Sequence, residues 1–391
     1  MKIIENIKKD LIKIFSKIKK KNLSLHEPFF FGNEKKYLIK CITSNSVASN
    51  GDFKNILEDK LKKFTKSKYC ILVSSGTAAL HVGLEAMGVK KNDEVLIPNL
   101  NYIASANASL YLNAIPHFIN IDEKTLGIDV EKLEMYLKKN TIIKKKKLFN
   151  KKTKNYIKAI IPVHLFGYPC QIDKIIKLSK KYKIKVLEDA AEALGTYFDK
   201  KHVGTFGNVG VISFNGNKII TTGGGGAVIT NDLNIAKKIR KLTNVSKAQH
   251  PWRMRFEEKG YNYKMPNLNA ALGASQMETI NKILKFKKTN YNKYRVIFNN
   301  NKYFEVYKGI NKSTPNHWLV TLLIKKNYIQ YKDLIIKFLI SKKIGVRPAW
   351  DTMTSTKYLK NFPAMKPTID NQIVKRIINL PSSAFLHKFF K

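Results

Sequence analysis

The sequence KYCILVSSGTAALHVGLEAMGVKKNDEVLIPNL (68–100) alternates between two kinds of pattern. Its two ends, KYCILVSS (68–75) and DEVLIPNL (93–100), are short and mostly apolar, as expected of strands that are buried on both faces. The segment between them, from Thr77 to about Met87, has the length and composition of a helix. A buried strand, a helix and a second buried strand in succession are typical of a parallel sheet covered by helices.

The same alternation continues along the chain. Three further apolar segments have the pattern of strands: AIPHFINI (114–121), KAIIPVHLF (158–166) and IKVLEDAA (184–191). We therefore predict an α/β fold in which a mostly parallel sheet, flanked by helices, forms a large domain over residues 25–285. After about Phe286 the composition becomes more polar, and strand-like WLVTLLI (318–324) precedes another helix. This change predicts a smaller C-terminal α+β domain over residues 286–391.

Residues 1–24 form a separate, strongly basic segment. Apolar residues recur in it at helical spacing, at Ile4, Ile7, Leu11, Ile14, Phe15 and Ile18. It lacks the apolar region and cleavage site of a secretory signal, and no apolar run in the chain approaches the ~18 residues of a membrane span. We expect a basic amphipathic helix, which either makes peripheral contact with an anionic membrane or packs on its own protein or a partner subunit.

The net charge of +44 raises the question of a polyanionic partner. Only six of the 72 basic residues are arginine, whereas nucleic-acid readers usually mix in arginine for its planar, bidentate contacts. The lysines are spread along the whole chain, which favours a coding bias, and we expect no nucleic-acid partner. A basic protein that binds nucleic acid or a membrane surface is kept as the alternative function.

Three cysteines, Cys41, Cys70 and Cys170, have neither paired nor metal-ligand spacing. We therefore expect no disulfide framework and no metal site. This cysteine usage fits a cytoplasmic protein.

Lys218 is conspicuous because lysine is rare around it. No charged residue occurs from Val95 to Ile121, and Lys218 is the one lysine between Val203 and Ala236. A lysine retained in a pocket of low charge has a lowered pKa and a nucleophilic amine, which suits Schiff-base formation with a carbonyl. The alternative is a loop lysine that is hydrogen-bonded to backbone carbonyls.

Two other features point to the same chemistry. Asp189 ends an apolar strand, where α/β sheets place ligand-facing groups, and a buried carboxylate there needs a partner such as a protonated pyridine nitrogen. Alternatively, Asp189 caps a helix. The segment SSGTAALHVGL (74–84) leads from a strand into a helix and offers N–H groups and hydroxyls to a phosphate. Together with Lys218, these features suggest an enzyme that uses pyridoxal 5'-phosphate.

Longer motifs carry a family resemblance. Three of them span residues 74–88, 188–226 and 260–278, and they resemble the DegT/DnrJ/StrS family of nucleotide-sugar aminotransferases. LHEPFFFGNEKKYL (25–38), GVRPAWDTM (345–353) and INLPSS (378–383) are similar to its legionaminic-acid-pathway (LegC-type) branch. The resemblance covers the chain from about residue 25 to its end.

The resemblance implies a fold-type I, pyridoxal-phosphate-dependent homodimer of the transferase class 2.6.1. An amino acid, glutamate by analogy, would supply the amino group. The acceptor would be the 4-keto carbon of a UDP- or GDP-linked 6-deoxy sugar, with a 2-acetamido group as in the legionaminic acid and bacillosamine routes. The product would serve surface-polysaccharide biosynthesis. Sugar dehydratases of the same fold are a further alternative, but they carry histidine at the position of Lys218.

The resemblance also assigns roles to residues. Lys218 matches the Schiff-base lysine that moves the proton, Asp189 matches the partner of the pyridine nitrogen, and Glu192 lies near the ring hydroxyl. Five further positions match cofactor contacts: Tyr102, which would stack on the ring, Gly76, Thr77 and Ser213 on the phosphate, and Asn262, which would reach the phosphate of the partner subunit.

Overall fold

The computed structural model describes residues 2–248, 250, 252–366 and 370–390. Met1, in the predicted N-terminal segment, therefore lies outside the described residues. So do residues 367–369 and 391, in the predicted C-terminal domain. Residues 249 and 251, in the polar stretch that precedes Asn262, also lie outside the described residues.

The described strands form two main sheets and two small ones. In chain order they are β1 (Tyr69–Val73), β2 (Glu94–Pro98), β3 (Ile115–Ile119), β4 (Thr141–Lys144), β5 (Lys147–Asn150), β6 (Ile157–Ile160), β7 (Lys185–Asp189), β8 (Tyr197–Phe198), β9 (Lys201–His202), β10 (Val209–Ser213), β11 (Gly226–Thr230), β12 (Phe304–Val306), β13 (Ser313–Thr314), β14 (Val320–Ile324), β15 (Arg347–Pro348) and β16 (Ile377–Leu380).

Helices cover both main sheets. In chain order the described α-helices are α1 (Lys2–Phe15), α2 (Glu34–Thr43), α3 (Asp52–Thr65), α4 (Gly76–Ala86), α5 (Ala104–Tyr111), α6 (Val130–Asn140), α7 (Ile172–Tyr182), α8 (Leu233–Thr243), α9 (Asn267–Ile297), α10 (Lys332–Ser341) and α11 (Asp370–Val374).

The larger sheet has seven strands in the order β1-β11-β10-β7-β6-β2-β3. The pairs from β10 to β3 are parallel, and β11 is antiparallel to both of its neighbours. β2 and β10 are buried along their whole length, because helices pack on both faces of the sheet. The predicted α/β fold with a mostly parallel sheet is confirmed.

A second sheet, antiparallel and ordered β12-β14-β16-β15, forms the core of the C-terminal part. Helix α9 continues from residue 267 to residue 297, so the predicted boundary at 285/286 falls inside one helix. The two parts are therefore joined by a continuous helix, whose buried residues contribute to both hydrophobic cores.

Helix α1 packs on the second core. Its apolar residues Ile4, Ile7, Leu11, Ile14 and Phe15 are buried together with residues of β14, β16 and α10. The amphipathic helix predicted for this segment is present, and its own protein covers the apolar face that a membrane contact would need. Among the described residues, no helix is both long and apolar enough to cross a membrane.

Candidate active site

The site lies at the edge of the seven-stranded sheet where the parallel strands end. Asp189 is the last residue of β7 and Ser213 the last residue of β10, and the register of this parallel pair places Asp189 beside Val211. Lys218 follows Ser213 in the loop between β10 and β11. Parallel strands end on one side of a sheet, so the fold places these groups at the edge where α/β proteins bind ligands.

Lys218 faces a carboxylate and an aromatic ring. Its Nζ lies 3.3 Å from Oε1 of Glu192 and 3.9 Å from the ring centroid of Trp318. The other carboxylate oxygen of Glu192 accepts the backbone N–H of Phe166 at 2.7 Å. Burial raises the pKa of Glu192, while the Lys218 ammonium and the Phe166 N–H oppose that rise. The pair combines an amine and a carboxyl that can exchange a proton.

Asp189 is buried, and its hydrogen-bond partners are neutral groups. Its Oδ2 accepts the hydroxyl of Ser105 at 2.8 Å, and its Oδ1 accepts the backbone N–H of Ala191 at 3.2 Å. Burial raises the pKa of Asp189, and the hydrogen bonds from Ser105 and Ala191, together with the charges of Lys218 and His164, only partly offset this effect. A buried carboxyl in such surroundings would be stabilised by a cation placed beside it.

The start of α4 forms a cradle next to Ser213. Ser75 caps the helix by accepting the N–H of Ala78 at 3.0 Å, and helix geometry leaves the N–H groups of Gly76 and Thr77 without intrahelical acceptors. A Cβ atom at Gly76 would lie 3.0 Å from Cβ and 3.1 Å from Oγ of Ser213. The absent side chain therefore lets the start of α4 approach the end of β10 closely, which places the free N–H groups beside the Ser213 hydroxyl, and such a group of donors suits an anion.

Three aromatic rings line one side of the site. The centroid of Tyr102 lies 5.6 Å from that of Trp350, which lies 5.3 Å from Phe166. Tyr102 is 53% exposed, so its ring retains an accessible face. Phe166 has a φ of 54°, which is unusual for a non-glycine residue, and this strained turn aims its N–H at Glu192.

Asn262 lies on an exposed segment at the end of β1. It forms an isolated bridge with Asn244, and its side chain is exposed. The next residue, Tyr263, accepts the backbone N–H of Ser74 at 2.8 Å through its carbonyl oxygen. The backbone of Asn262 therefore lies near the cradle, next to the residue that binds Ser74.

Ser105, Trp318 and Trp350 contribute to the site but were not predicted from the sequence. Ser105 sits in an apolar helix, where a serine gives no local signal. The two tryptophans come from the C-terminal part, 100 and 132 residues after Lys218 along the chain. They reach the site through tertiary packing, which places Trp350 beside Tyr102 and Trp318 beside Lys218.

His164 lies in the core next to the site. Its Nε2 is 3.2 Å from Oε2 of Glu188, and both side chains are fully buried. Among the described residues, no cluster of three or more histidine, cysteine, aspartate or glutamate side chains could hold a metal ion.

Comparison with known proteins identifies the family. The sequence model of the DegT/DnrJ/EryC1/StrS aminotransferase family matches residues 31–388. The chain is 34% identical over 365 residues to a GDP-perosamine synthase of Vibrio cholerae, covering 92% of this chain and 94% of the relative. It is 32% identical over 375 residues to EpsN of Bacillus subtilis (strain 168), covering 93% and 92%, and the name of EpsN describes a pyridoxal phosphate-dependent aminotransferase.

A solved structure shows the same fold. PseC of Helicobacter pylori, described as an aminotransferase in pseudoaminic acid biosynthesis, superposes with a TM-score of 0.83 at 24% identity. The superposition covers 93% of this chain and 94% of PseC. This agreement confirms the fold-type I architecture, whereas the legionaminic-acid-pathway branch stays a prediction. The chain belongs to the DegT/DnrJ/EryC1/StrS aminotransferase family, and its cofactor is pyridoxal 5'-phosphate.

Proposed function

We propose that this nucleotide-sugar aminotransferase transfers the amino group of glutamate to the 4-keto carbon of a nucleotide-linked 6-deoxy sugar that bears a 2-acetamido group. The observation that carries the proposal is the convergence of Lys218, Glu192 and Asp189 at one edge of the sheet. The name of the Vibrio cholerae relative, GDP-perosamine synthase, supports a nucleotide-linked sugar as the acceptor. The product would serve surface-polysaccharide biosynthesis, of which the legionaminic acid route is the one favoured by the sequence motifs.

The residues present fit the cofactor. The N–H groups of Gly76 and Thr77, next to the Ser213 hydroxyl, would hold the phosphate. Asp189, buried among neutral partners, would hold a protonated ring nitrogen. When bound, pyridoxal phosphate supplies a carbonyl for the amine and a ring that accepts electrons.

Each site residue then has a task that follows from its contacts. The amine of Lys218 would move a proton between a substrate carbon and a carbon of the bound cofactor, and Oε1 of Glu192 lies 3.3 Å from that amine. The phenol ring of Tyr102, which has an exposed face, would pack on the bound ring. Ser105 fixes the Asp189 carboxylate by donating to Oδ2. Lys218 also argues against the dehydratase alternative, which uses histidine at this position.

A panel of keto sugars tests the proposal. The protein is first converted to its amino form with glutamate, and then mixed with UDP- and GDP-linked 4-keto-6-deoxy sugars, with and without a 2-acetamido group. We expect the 2-acetamido acceptor to restore the visible absorption of the aldehyde form and to yield the 4-amino sugar by mass spectrometry. If no keto sugar restores that absorption, the proposed function is wrong. Turnover confined to sugars without the acetamido group would overturn the acceptor class.

We also propose that the enzyme is a homodimer in which Asn262 serves the partner subunit. An exposed apolar group supports an interface here, since Trp252, Met254 and Phe256 are 78%, 74% and 61% exposed on the segment before Asn262. In a two-fold dimer, such an exchange of residues is reciprocal.

Subunit mixing tests the shared site. Random exchange between K218A and N262A subunits makes half of the dimers mixed, and each mixed dimer has one intact site. Activity should therefore rise from near zero to about a quarter of the wild-type value. If N262A alone is strongly impaired and exchange is verified, yet no activity returns, Asn262 serves its own subunit.

The three cysteines support a cytoplasmic location as part of this proposal. Cys41, Cys70 and Cys170 are all free and buried. Free thiols of this kind are usual in a reducing compartment.

A further inference from the structure

Lys287, on helix α9, is buried in a protein whose other lysines lie mostly at the surface. It is the one buried lysine among the described residues, and only 1% of its surface is exposed. Its Nζ donates to the carbonyl oxygen of Trp318 at 3.0 Å and to that of Ser382 at 2.5 Å. Burial lowers the pKa of Lys287 well below its usual value, and the two carbonyl oxygens accept N–H bonds from its amine.

Lys287 is one of three side chains on α9 that hold the same short segment. Asn290 Nδ2 donates to the carbonyl of Ser383 at 2.9 Å, and the Tyr294 hydroxyl donates to that of Pro381 at 2.9 Å. The spacing of three and four residues places the three donors on one face of the helix. Segment 381–383 is thus held on α9 by a row of side-chain donors.

Lys287 differs from the other two donors because it also reaches Trp318. Trp318 is held at three further points: its backbone N–H donates to Oδ1 of Asn316 at 2.8 Å, its indole N–H donates to the carbonyl of Asn217 at 2.6 Å, and its ring lies 3.9 Å from Nζ of Lys218. Asn217 directly precedes Lys218 in the chain. The contacts therefore run without a gap from Lys287 through Trp318 to Lys218.

We propose that Lys287 is a positioning residue for amino transfer, because it holds Trp318 in the place that orients Lys218. This inference rests on the proposed function and adds to it a residue that touches neither cofactor nor substrate. Without the Lys287 donor, the Trp318 carbonyl loses a buried partner, and the backbone that carries the indole is free to shift. A shift of about 1 Å at a reacting group can lower a rate about 100-fold.

The test compares K287M with N290L in the cofactor-loaded dimer. Methionine keeps the length of Lys287 without its donors, and N290L removes a neighbouring contact to segment 381–383 that does not involve Trp318. We expect K287M to lower kcat about 10- to 100-fold, with KM changed by less than about threefold. K287M should also shift the pH at which the visible absorption of the covalent bond between Lys218 and the cofactor changes. N290L should lower the Tm while leaving kcat and that titration as in the wild type.

A double variant tests whether Lys287 acts through Trp318. If it does, K287M should cause little further loss of kcat in a W318F background, since effects along one chain of contacts are not additive. An undiminished loss in that background would overturn the proposal. So would a folded K287M with wild-type kcat and spectrum.

If K287M does not fold, K287Q answers the same question. Its arm is shorter but keeps two N–H donors, and we expect a smaller shift of the spectral titration than the loss of both donors would cause. A folded K287Q whose visible absorption changes at the same pH as that of N290L would contradict the positioning role of Lys287. The spectrum needs no sugar substrate, so a failure of the proposed acceptor would leave this test intact.

Discussion

The two ends of the seven-stranded sheet each bury a cluster of ionisable side chains, and the two clusters are built differently. At the end where β2 begins, Nδ1 of His117 lies 2.7 Å from Oε2 of Glu94. Asn150 donates to both oxygens of the same carboxylate, at 3.2 and 3.1 Å, and the Thr153 hydroxyl also donates to it. The Tyr136 hydroxyl lies 3.1 Å from Nε2 of His117. This carboxylate is surrounded by donors.

At the opposite end, the carboxyl groups have fewer partners. Asp189 is bonded to Ser105 and Ala191, while Glu192 is bonded to Phe166 and the amine of Lys218. The pKa values diverge accordingly. Burial raises the pKa of Asp189 and Glu192, whereas the hydrogen bonds to Glu94 outweigh its burial and lower its pKa. A buried acid whose few donors leave its pKa raised marks the site, and one whose donors outweigh its burial supports the fold.

The largest expected effect is that of K218A. A methyl group can neither form the covalent linkage nor move the proton, so activity should fall by at least about 10³-fold. Because Lys218 lies in a loop and is 14% exposed, the folded structure should persist. Turnover with glutamate and a keto sugar measures the loss of activity, and circular dichroism measures whether the protein is folded. A K218A variant with more than about a tenth of wild-type turnover would remove Lys218 from its role.

D189N should have the next largest effect. An amide cannot hold the ring nitrogen protonated, so kcat should fall about 10²- to 10³-fold while the cofactor still binds through its phosphate. Near-normal turnover would contradict the role of Asp189.

The D189N variant also tests whether the charge of Asp189 stabilises the fold. The folded-state pKa of Asp189 is raised, so the charged carboxylate costs stability at neutral pH, and that cost disappears as the pH falls below the unfolded value. The cofactor-free D189N protein should therefore be as stable as the wild type at pH 7, or more stable. Thermal unfolding measures this, and a clear drop in Tm would show that the charge stabilises the fold.

E94Q should give the opposite result. Removing the charge of a buried, paired carboxylate should cost about 3 kcal/mol of unfolding free energy and leave kcat unchanged. The control is E131Q, at a side chain that is 85% exposed in its pair with Lys174. A loss of kcat in folded E94Q, with wild-type stability, would reverse the assignment of the two ends.

The pH dependence of that stability has a defined sign. The folded-state pKa of Glu94 lies below its unfolded value of about 4.5, so its stabilising contribution is complete above that pH. It is lost as the pH falls through the folded-state pKa. The difference in unfolding free energy between wild type and E94Q should therefore shrink under acid conditions. A difference that is constant from pH 7 to pH 3 would contradict a stabilising role for the Glu94 charge.

The smallest effect is expected from the +44 charge. If the lysines reflect coding bias, binding of duplex DNA should be weak, disappear near physiological salt and leave turnover unchanged. A salt titration with labelled DNA measures this. Tight, sequence-selective binding at physiological salt would favour the nucleic-acid alternative instead.

The sequence allowed the sheet, its parallel strands and the strand-end position of Asp189 to be predicted, because these depend on local patterns. The low lysine density around Lys218 predicted a partly buried side chain, and that side chain is 14% exposed. The same reasoning missed Lys287, which lies in the lysine-rich stretch KILKFKK (282–288) and is buried only because α9 packs on segment 381–383. Trp318 and Ser105 likewise reach the site through tertiary packing, which no local pattern reports.

The most direct test of the central claim is reduction of the cofactor-loaded protein with borohydride, followed by peptide mapping. The account predicts that the visible absorption disappears and that the cofactor is found covalently attached to the peptide containing Lys218, with no attachment in K218A. Attachment to another lysine, or none at all, would contradict the account.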